Sequence, residues 1–212
     1  MNAGAAATPL TGMGEEVRKA SREERLRANT YGLLGALLAA PPAESLIQLL
    51  TRISPAEVGG GDDLAAAWEV LRLAGERADV AALDDEYHEL FVGIGRGELM
   101  PYGSWYMTGF LMDQPLAVLR RDLAELGFER QDDTREPEDH VAALLETMGL
   151  MIGEGDTSFD VQRRFFQSHM GPWMRTFFLD LQKAQAARFY RAVGQFGEQF
   201  IEFETKYLTM LV

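Results

Sequence analysis

The amino-acid sequence predicts an all-α protein, folded as a single-domain bundle of about eight to nine helices. Apolar residues recur at helical spacing along nearly the whole chain, and no run shows the alternation that is typical of a strand. The chain has 212 residues, of which 47% are hydrophobic and 25% are charged. That length and composition suit one domain with a full hydrophobic core.

The N-terminal half contains four predicted helices, at residues 22–40, 44–53, 62–78 and 79–92. Pro41 and Pro42 end the first helix, and a glycine-rich break at residues 54–61 follows the second. Gly93 closes the fourth helix. Residues 93–112 then show no clear periodicity, and a long irregular connection inside a compact domain is often functional.

The C-terminal half contains five predicted helices, at residues 113–127, 137–152, 158–170, 172–184 and 186–211. The second of these is predicted to begin at Pro137, with Glu138 and Asp139 in its first turn, because proline and acidic residues favour that position. The last carries an apolar stripe that we expect to be buried against neighbouring helices: Phe189, Val193, Phe196, Phe200 and Phe203.

Residues 1–21 are predicted to be a flexible N-terminal tail, and residues 22–212 the helical domain. The tail has neither the basic region nor the sustained apolar run of a secretory signal. The most apolar stretch, residues 31–40, is too short to span a bilayer. We therefore predict a cytoplasmic protein without stable membrane insertion.

The net charge is −13, and the excess of acidic residues is concentrated in one segment. Residues 129–160 contain ten acidic residues against Arg130 and Arg135, which leaves a charge of −8. Nucleic acid is not expected as a partner, because phosphate binding requires the opposite sign. The charge favours a basic partner, although acidity that only maintains solubility is an open alternative.

The usual signatures of a catalytic centre are missing from the sequence. There is no cysteine and no Gly-x-Ser-x-Gly motif, and Asp85-x-x-His88 is a single copy of a motif that a di-iron site needs twice. The glycines of residues 93–97 match neither a Walker loop nor a dinucleotide fingerprint. We predict a protein that is not an enzyme and that holds no metal and no cofactor.

Four short motifs occur in order along the chain. They are Tyr87-x-x-Leu90-Phe91-x-Gly93, Pro101…Ser104-x-Tyr106, Glu136-Pro137-x-Asp139-His140 and His169-x-x-Pro172-Trp173. A long aromatic helix follows the fourth motif. The ordered set resembles the TorD/DmsD family of redox-enzyme maturation chaperones, and the resemblance covers roughly residues 22–208.

This resemblance implies a TorD-like fold and a cytoplasmic chaperone. Members of that family bind the catalytic subunit of a molybdopterin oxidoreductase, often at its twin-arginine signal peptide. They keep the apoenzyme ready for cofactor insertion and delay its export until it is loaded. Some members have been reported to bind guanine nucleotides, but no nucleotide motif is recognisable here.

A twin-arginine peptide has a basic pair followed by an apolar stretch, so its receptor should present carboxylates beside an aromatic surface. The residues predicted to bind the client are Tyr87, Phe91, Tyr102, Ser104, Trp105, Tyr106, Glu136, Glu138, Asp139 and His140. Simpler roles are open for some of them: helix capping for Asp139, and core packing for Tyr87 and Phe91. His169 and Trp173 are predicted to pack at a helix junction.

Three other functions are compatible with the sequence. The protein could assemble a molybdoenzyme subunit that lacks a signal peptide, of the nitrate reductase or formate dehydrogenase type. From another class, it could be a helical enzyme that binds a small molecule or nucleotide. Finally, the apolar stripe of the last helix is compatible with an oligomerisation module. The sequence leaves open whether the chain is a monomer or a homodimer.

Overall fold

The computed structural model describes residues 21–54, 61–129, 136–153 and 157–210. Within these ranges the chain is all-α, which confirms the predicted fold class. The helices are α1 Arg22–Ala39, α2 Glu44–Arg52, α3 Asp62–Glu76, α4 Val80–Tyr87, α5 Gly103–Thr108, α6 Gln114–Glu125, α7 Val141–Gly153, α8 Phe159–His169, α9 Met174–Lys183 and α10 Phe189–Met210. Nearly all of the predicted tail lies outside the described residues, as does most of the predicted break at 54–61.

The start of α1 agrees with the sequence prediction and is determined by a capping box. The Ser21 hydroxyl accepts the backbone N–H of Glu24 at 3.1 Å, and the Glu24 carboxylate accepts the N–H of Ser21 at 2.7 Å. These two bonds satisfy donors that the first turn of a helix leaves without partners. The helix packs along α7 and ends just before the two prolines.

The long helix α10 closes the core by packing against α9 and α3. Phe189, Val193, Phe196 and Phe200 are all buried, and Phe203 is partly buried. The apolar stripe predicted for this helix is therefore buried within the chain itself, and it requires no partner subunit. The sequence-based argument for an oligomerisation module loses its support.

A buried ion pair joins the two ends of the described chain. The Arg27 guanidinium on α1 binds the Glu204 carboxylate on α10 through two bonds of 2.7 Å, and the Tyr31 hydroxyl donates to the same carboxylate at 2.9 Å. The pair is almost completely buried. Its two parallel bonds and the additional donor offset part of the cost of removing both charges from water.

Two predicted helices differ from the structure, one in its helix type and one in its start. The helix predicted at 79–92 is α-helical only as far as Tyr87 and continues as a π-helical turn, His88–Val92, in which the N–H of Gly93 donates to the carbonyl of His88 at 2.7 Å. The helix predicted from Pro137 begins instead at Val141. Residues 136–140 form a turn before it, closed by the bond from the His140 N–H to the Pro137 carbonyl at 3.0 Å.

One helix was not predicted. Residues 103–108 form α5 inside the stretch that shows no periodicity. Six residues are too few for an apolar repeat to be visible, and the helix owes its start to a contact with a distant part of the chain, described below.

A buried carboxylate caps the N-terminus of α10 from another helix. Glu86 on α4 accepts the backbone N–H groups of Arg188, Phe189 and Tyr190 at 2.8, 3.2 and 2.8 Å. Helix N-termini leave such donors unpaired and carry a partial positive charge. Glu86 therefore determines where α10 begins and how it is oriented against α4.

We predict that Glu86→Ala lowers the free energy of unfolding by about 3 kcal/mol, because three donors lose a charged acceptor. Glu86→Gln, which retains an oxygen acceptor, should lose less. Urea unfolding followed by circular dichroism measures both values. Equal stability of Glu86→Ala and the wild type would show that this cap is not important for the fold.

We also predict that Gly197→Ala destabilises the protein by about 2 kcal/mol or more, because overpacking a filled core is costly. A Cβ at position 197 of α10 would overlap the ring of Phe178, which is fully buried on α9. Gly32→Ala on α1 is the matched control, since a Cβ there meets nothing within 4 Å. The control should be more stable than the wild type by about 0.5–1 kcal/mol, and the opposite order would contradict the helix packing.

Candidate functional site

Two of the predicted motifs lie side by side. Tyr102 and His140 form an isolated antiparallel bridge, and the N–H of Gly103 donates to the carbonyl of Asp139 at 2.8 Å. The segment before α5 is thereby attached to the turn before α7. Residues from two sequence-distant motifs form one site.

Asp139 lies at the centre of this site and is 3% exposed. Its Oδ2 atom accepts the backbone N–H of Ser104 at 2.8 Å, at the start of α5. Asp139 Oδ1 and Ser104 Oγ are buried and have no hydrogen-bond partner among the described residues. The prediction that Asp139 lies in the first turn of α7 is wrong; its carboxylate binds α5 instead. Charge reversal to lysine would bury an ammonium group here, so it tests folding more than binding.

His140 is also buried, and its hydrogen bonding defines its tautomer. Its Nδ1 atom accepts the N–H of Ala142 at 3.2 Å, which leaves the proton on Nε2. The ring packs edge-on against Tyr102, with centroids 5.2 Å apart. Burial lowers the pKa of His140, and the nearby charges of Glu136 and Asp139 oppose that shift only in part. The imidazole is therefore neutral at neutral pH.

Tyr102 connects this buried cluster to the surface. Its hydroxyl donates to the exposed carboxylate of Glu136 at 2.5 Å. Burial, followed by this hydrogen bond, raises the pKa of Tyr102, and burial together with the Glu136 charge raises the pKa of Tyr87 to about 12. Both phenols remain protonated in solution near neutral pH, so Tyr102 acts as a donor that positions Glu136.

Glu136 lies at a cavity of about 430 Å³ between α6 and α7. The acidic residues that line it are Glu129, Glu136, Glu138 and Glu146, and the apolar ones include Leu123, Phe128 and Leu150. Arg120 is the basic residue in this lining, and its Nε donates to Glu138 at 2.9 Å. Among the residues that the structure describes, four carboxylates against one guanidinium leave a surplus charge of −3 in this lining. We call this feature the acidic cavity.

Tyr87 and Phe91 do not line the acidic cavity. Tyr87 is buried, and its hydroxyl donates to the Leu38 carbonyl at 3.2 Å. Phe91 packs on Tyr190 of α10, with ring centroids 5.4 Å apart. These contacts place Tyr87 and Phe91 against the helical core, and neither residue lines the acidic cavity, although the charge of Glu136 reaches Tyr87.

Tyr106 and Trp105 follow one another on α5 but differ in their surroundings. The ring of Tyr106 stacks on Trp173 at 5.5 Å, and its hydroxyl lies 3.2 Å from Asp180 of α9. Trp105 is half-buried beneath the guanidinium of Arg96, 5.0 Å from the ring centroid. Both side chains are half-buried.

Sequence reasoning missed three charged residues of the acidic cavity. Glu129 and Glu146 belong to the acidic segment noted above, but nothing singled them out within it. Glu146 lies on α7 beside Ala143, Thr147 and Leu150, and this helical spacing could have assigned it to a common face. No sequence pattern marks Arg120 as a site residue, because only the folded chain brings it close to Glu138.

The described residues include no group of three or more His, Cys, Asp or Glu side chains placed to hold a metal ion. No helix among them is both long and apolar enough to cross a membrane. The acidic cavity presents carboxylate acceptors together with apolar side chains. Such a surface suits guanidinium or ammonium groups on aliphatic stems.

Comparison with known proteins identifies similar chains. The family model described as nitrate reductase delta subunit matches residues 60–179. The chaperone protein TorD of Vibrio atlanticus is 28% identical over 137 residues, covering 59% of this chain and 64% of that protein. TorD of Vibrio parahaemolyticus is 26% identical over 134 residues, covering 58% and 62%. The chain thus spans less than two thirds of these curated relatives.

A solved structure shares the fold. It is described as a redox enzyme maturation protein from Archaeoglobus fulgidus, and it superimposes with a TM-score of 0.52. The superposition covers 90% of this chain and 99% of the archaeal one, at 17% sequence identity. At that identity the match shows the helical arrangement alone.

We predict that acid destabilises the protein partly through His140. Its folded-state pKa lies below the ordinary value of 6.5, so the unfolded chain binds the proton first. The contribution of neutral His140 to the free energy of unfolding should be fully present above pH 6.5. It should fall as the pH drops from there toward the folded-state pKa. His140→Asn retains an acceptor for the N–H of Ala142 but cannot be protonated.

Urea unfolding at about pH 7.5 and about pH 5.5 tests this prediction. Between these two pH values the free energy of unfolding of His140→Asn should fall by about 1 kcal/mol less than that of the wild type. His169, whose pKa burial also lowers, will account for part of the remaining loss. Identical losses in both proteins would show that His140 does not titrate in this way.

Proposed function

This chain belongs to the nitrate reductase delta subunit family, and we propose that it is a TorD-like cytoplasmic chaperone for the catalytic subunit of a molybdopterin oxidoreductase. It binds the apo subunit at a segment in which basic residues precede an apolar stretch, as in a twin-arginine signal peptide. Binding keeps that subunit competent for cofactor insertion and delays export until loading is complete. The proposed activity is binding, with no chemical step.

The acidic cavity is the observation that carries this proposal. Its volume of about 430 Å³ lies within the range of ligand-binding pockets. The planar guanidinium group of arginine forms paired hydrogen bonds with carboxylates, and these bonds are stronger than those between neutral groups. A surplus charge of −3 in a partly enclosed space therefore favours adjacent arginines over other side chains.

The lining of the cavity also accommodates the rest of an arginine side chain. Leu123, Phe128 and Leu150 provide apolar surface for aliphatic stems. Tyr102 holds Glu136 through its hydroxyl, so this carboxylate loses less rotational freedom when a ligand binds. Pre-positioned acceptors of this kind increase affinity and selectivity.

A second candidate function is assembly of a catalytic subunit that has no signal peptide. The description of the matching family model, nitrate reductase delta subunit, favours this candidate. The two candidates differ in what suffices for binding. A signal peptide alone should bind in the first case, whereas the second requires a surface of the subunit itself.

We predict that Glu136→Gln combined with Glu146→Gln weakens binding of a basic, apolar peptide about tenfold or more, because two charged acceptors are lost. The probe is a synthetic peptide in which two adjacent arginines precede a leucine- and alanine-rich stretch. Isothermal titration calorimetry at two salt concentrations measures affinity and its electrostatic component. The variant should also show a weaker salt dependence.

The matched control is Glu44→Gln combined with Glu76→Gln, which removes two carboxylates from a separate cavity beside α2 and α3. That control should bind the peptide like the wild type. Equal weakening in both variants would mean that only the overall charge matters. Failure of the wild type to bind the peptide, with binding to a catalytic subunit retained, would select the second candidate.

A further inference from the structure

The end of α5 and its connection to α6 expose an unusual amount of apolar surface. Of the six residues 107–112, four are large and apolar, and all four are exposed. Their exposed fractions are 43% for Met107, 70% for Phe110, 44% for Leu111 and 72% for Met112. We call residues 107–112 the apolar loop.

Hydrogen bonds from side chains to the backbone hold the apolar loop in a defined conformation. The Thr108 hydroxyl donates to the carbonyl of Ser104 at 2.9 Å and accepts the N–H of Phe110 at 3.3 Å. Asp113 then caps α6 through the N–H of Gln114 at 2.7 Å. The apolar side chains therefore project from an ordered turn.

The backbone of Met112 is strained as well as its side chain being exposed. Its φ of 57° makes it the single non-glycine residue with positive φ in the part of the chain that the structure describes. L-residues adopt this left-handed region at a cost of roughly 1–2 kcal/mol. Strained positions of this kind concentrate at functional sites, and here strain coincides with an exposed apolar side chain.

The composition around the loop favours an apolar ligand. Residues 99–112 contain no charged side chain, and the flanking charges, Glu98 and Asp113, are both acidic. Methionine is flexible and polarisable, so surfaces that contain it adapt to apolar partners of varied sequence. An anionic membrane surface is a poor fit, since the chain carries a net charge of −13.

Helix α5 links the apolar loop to the acidic cavity. Helix α5 has six residues and is therefore about 9 Å long. Tyr102, which binds Glu136 at the acidic cavity, precedes this helix, and the apolar loop begins with its last two residues. About three extended residues of a bound peptide cover the same distance.

We propose that the apolar loop is the docking surface for the apolar stretch that follows the client's basic residues. The inference rests on the proposed function, in which the acidic cavity binds those basic residues. The client segment then contacts two sites in series, one electrostatic and one apolar. In the client segment the basic residues come before the apolar stretch. Along α5 the acidic cavity likewise comes before the apolar loop.

Two synthetic peptides test this proposal. Both begin with the same two arginines; one continues with leucine and alanine, the other with serine and glycine. Phe110→Ser combined with Met112→Ser should weaken binding of the apolar peptide about ten- to a hundredfold, because two buried apolar contacts are lost. Binding of the polar peptide should be unchanged. Calorimetry measures all four affinities.

Met210→Ser is the matched control, because Met210 is 73% exposed at the far end of α10. It should bind both peptides like the wild type, and urea unfolding should show that every variant is folded. Unchanged binding of the apolar peptide by the loop variant overturns the proposal. So does a wild type that binds both peptides equally well.

The remaining outcomes separate this proposal from the proposed function. If the wild type binds neither peptide, the proposed peptide binding at the acidic cavity fails as well. If sedimentation shows a dimer that the loop variant abolishes, the loop is an interface between copies, and the proposal is wrong. Adsorption to uncharged phosphatidylcholine vesicles that depends on the loop overturns it in favour of a lipid surface.

Discussion

The buried carboxylate of Asp139 is the contact on which the geometry of the site depends. It accepts the N–H of Ser104 and so determines where α5 begins, 35 residues earlier in the chain. Gly103 allows this approach, because a Cβ there would lie 3.1 Å from the indole nitrogen of Trp173. That indole in turn donates to the carbonyl of His169 at 2.7 Å. Three of the four sequence motifs thus meet at the start of one short helix.

The acidic residues of this chain divide into structural and surface groups. Glu98 accepts the N–H groups of Gln185 and Ala186 at 2.6 and 3.0 Å and holds the connection between α9 and α10. Glu204 is fully buried and paired with Arg27. Glu136 and Glu146, by contrast, are exposed at the acidic cavity. A negative net charge therefore indicates a basic partner only where the carboxylates are not already used to pair helices.

The longer helices could be predicted from the sequence, because each buries one face and the apolar residues repeat at helical spacing. Helix α5 could not, since it depends on a tertiary bond to Asp139. For the same reason the start of α7 was misplaced: the N–H of Val141 donates to Pro101 at 2.8 Å, and the preceding residues turn back to form the bridge. The motifs identified the residues that come together. They did not reveal that Asp139 and His140 are buried, because ionisable side chains are usually exposed.

The central claim is that the acidic cavity receives the basic segment of a molybdoenzyme precursor. The most direct measurement is affinity purification of the tagged protein and of its Glu136→Gln, Glu146→Gln variant from the natural host, followed by mass spectrometry. We expect the wild type to recover a molybdopterin oxidoreductase catalytic subunit and the variant to recover much less of it. Absence of such a subunit from cells that express one would contradict the account, as would equal recovery of the subunit by the two proteins.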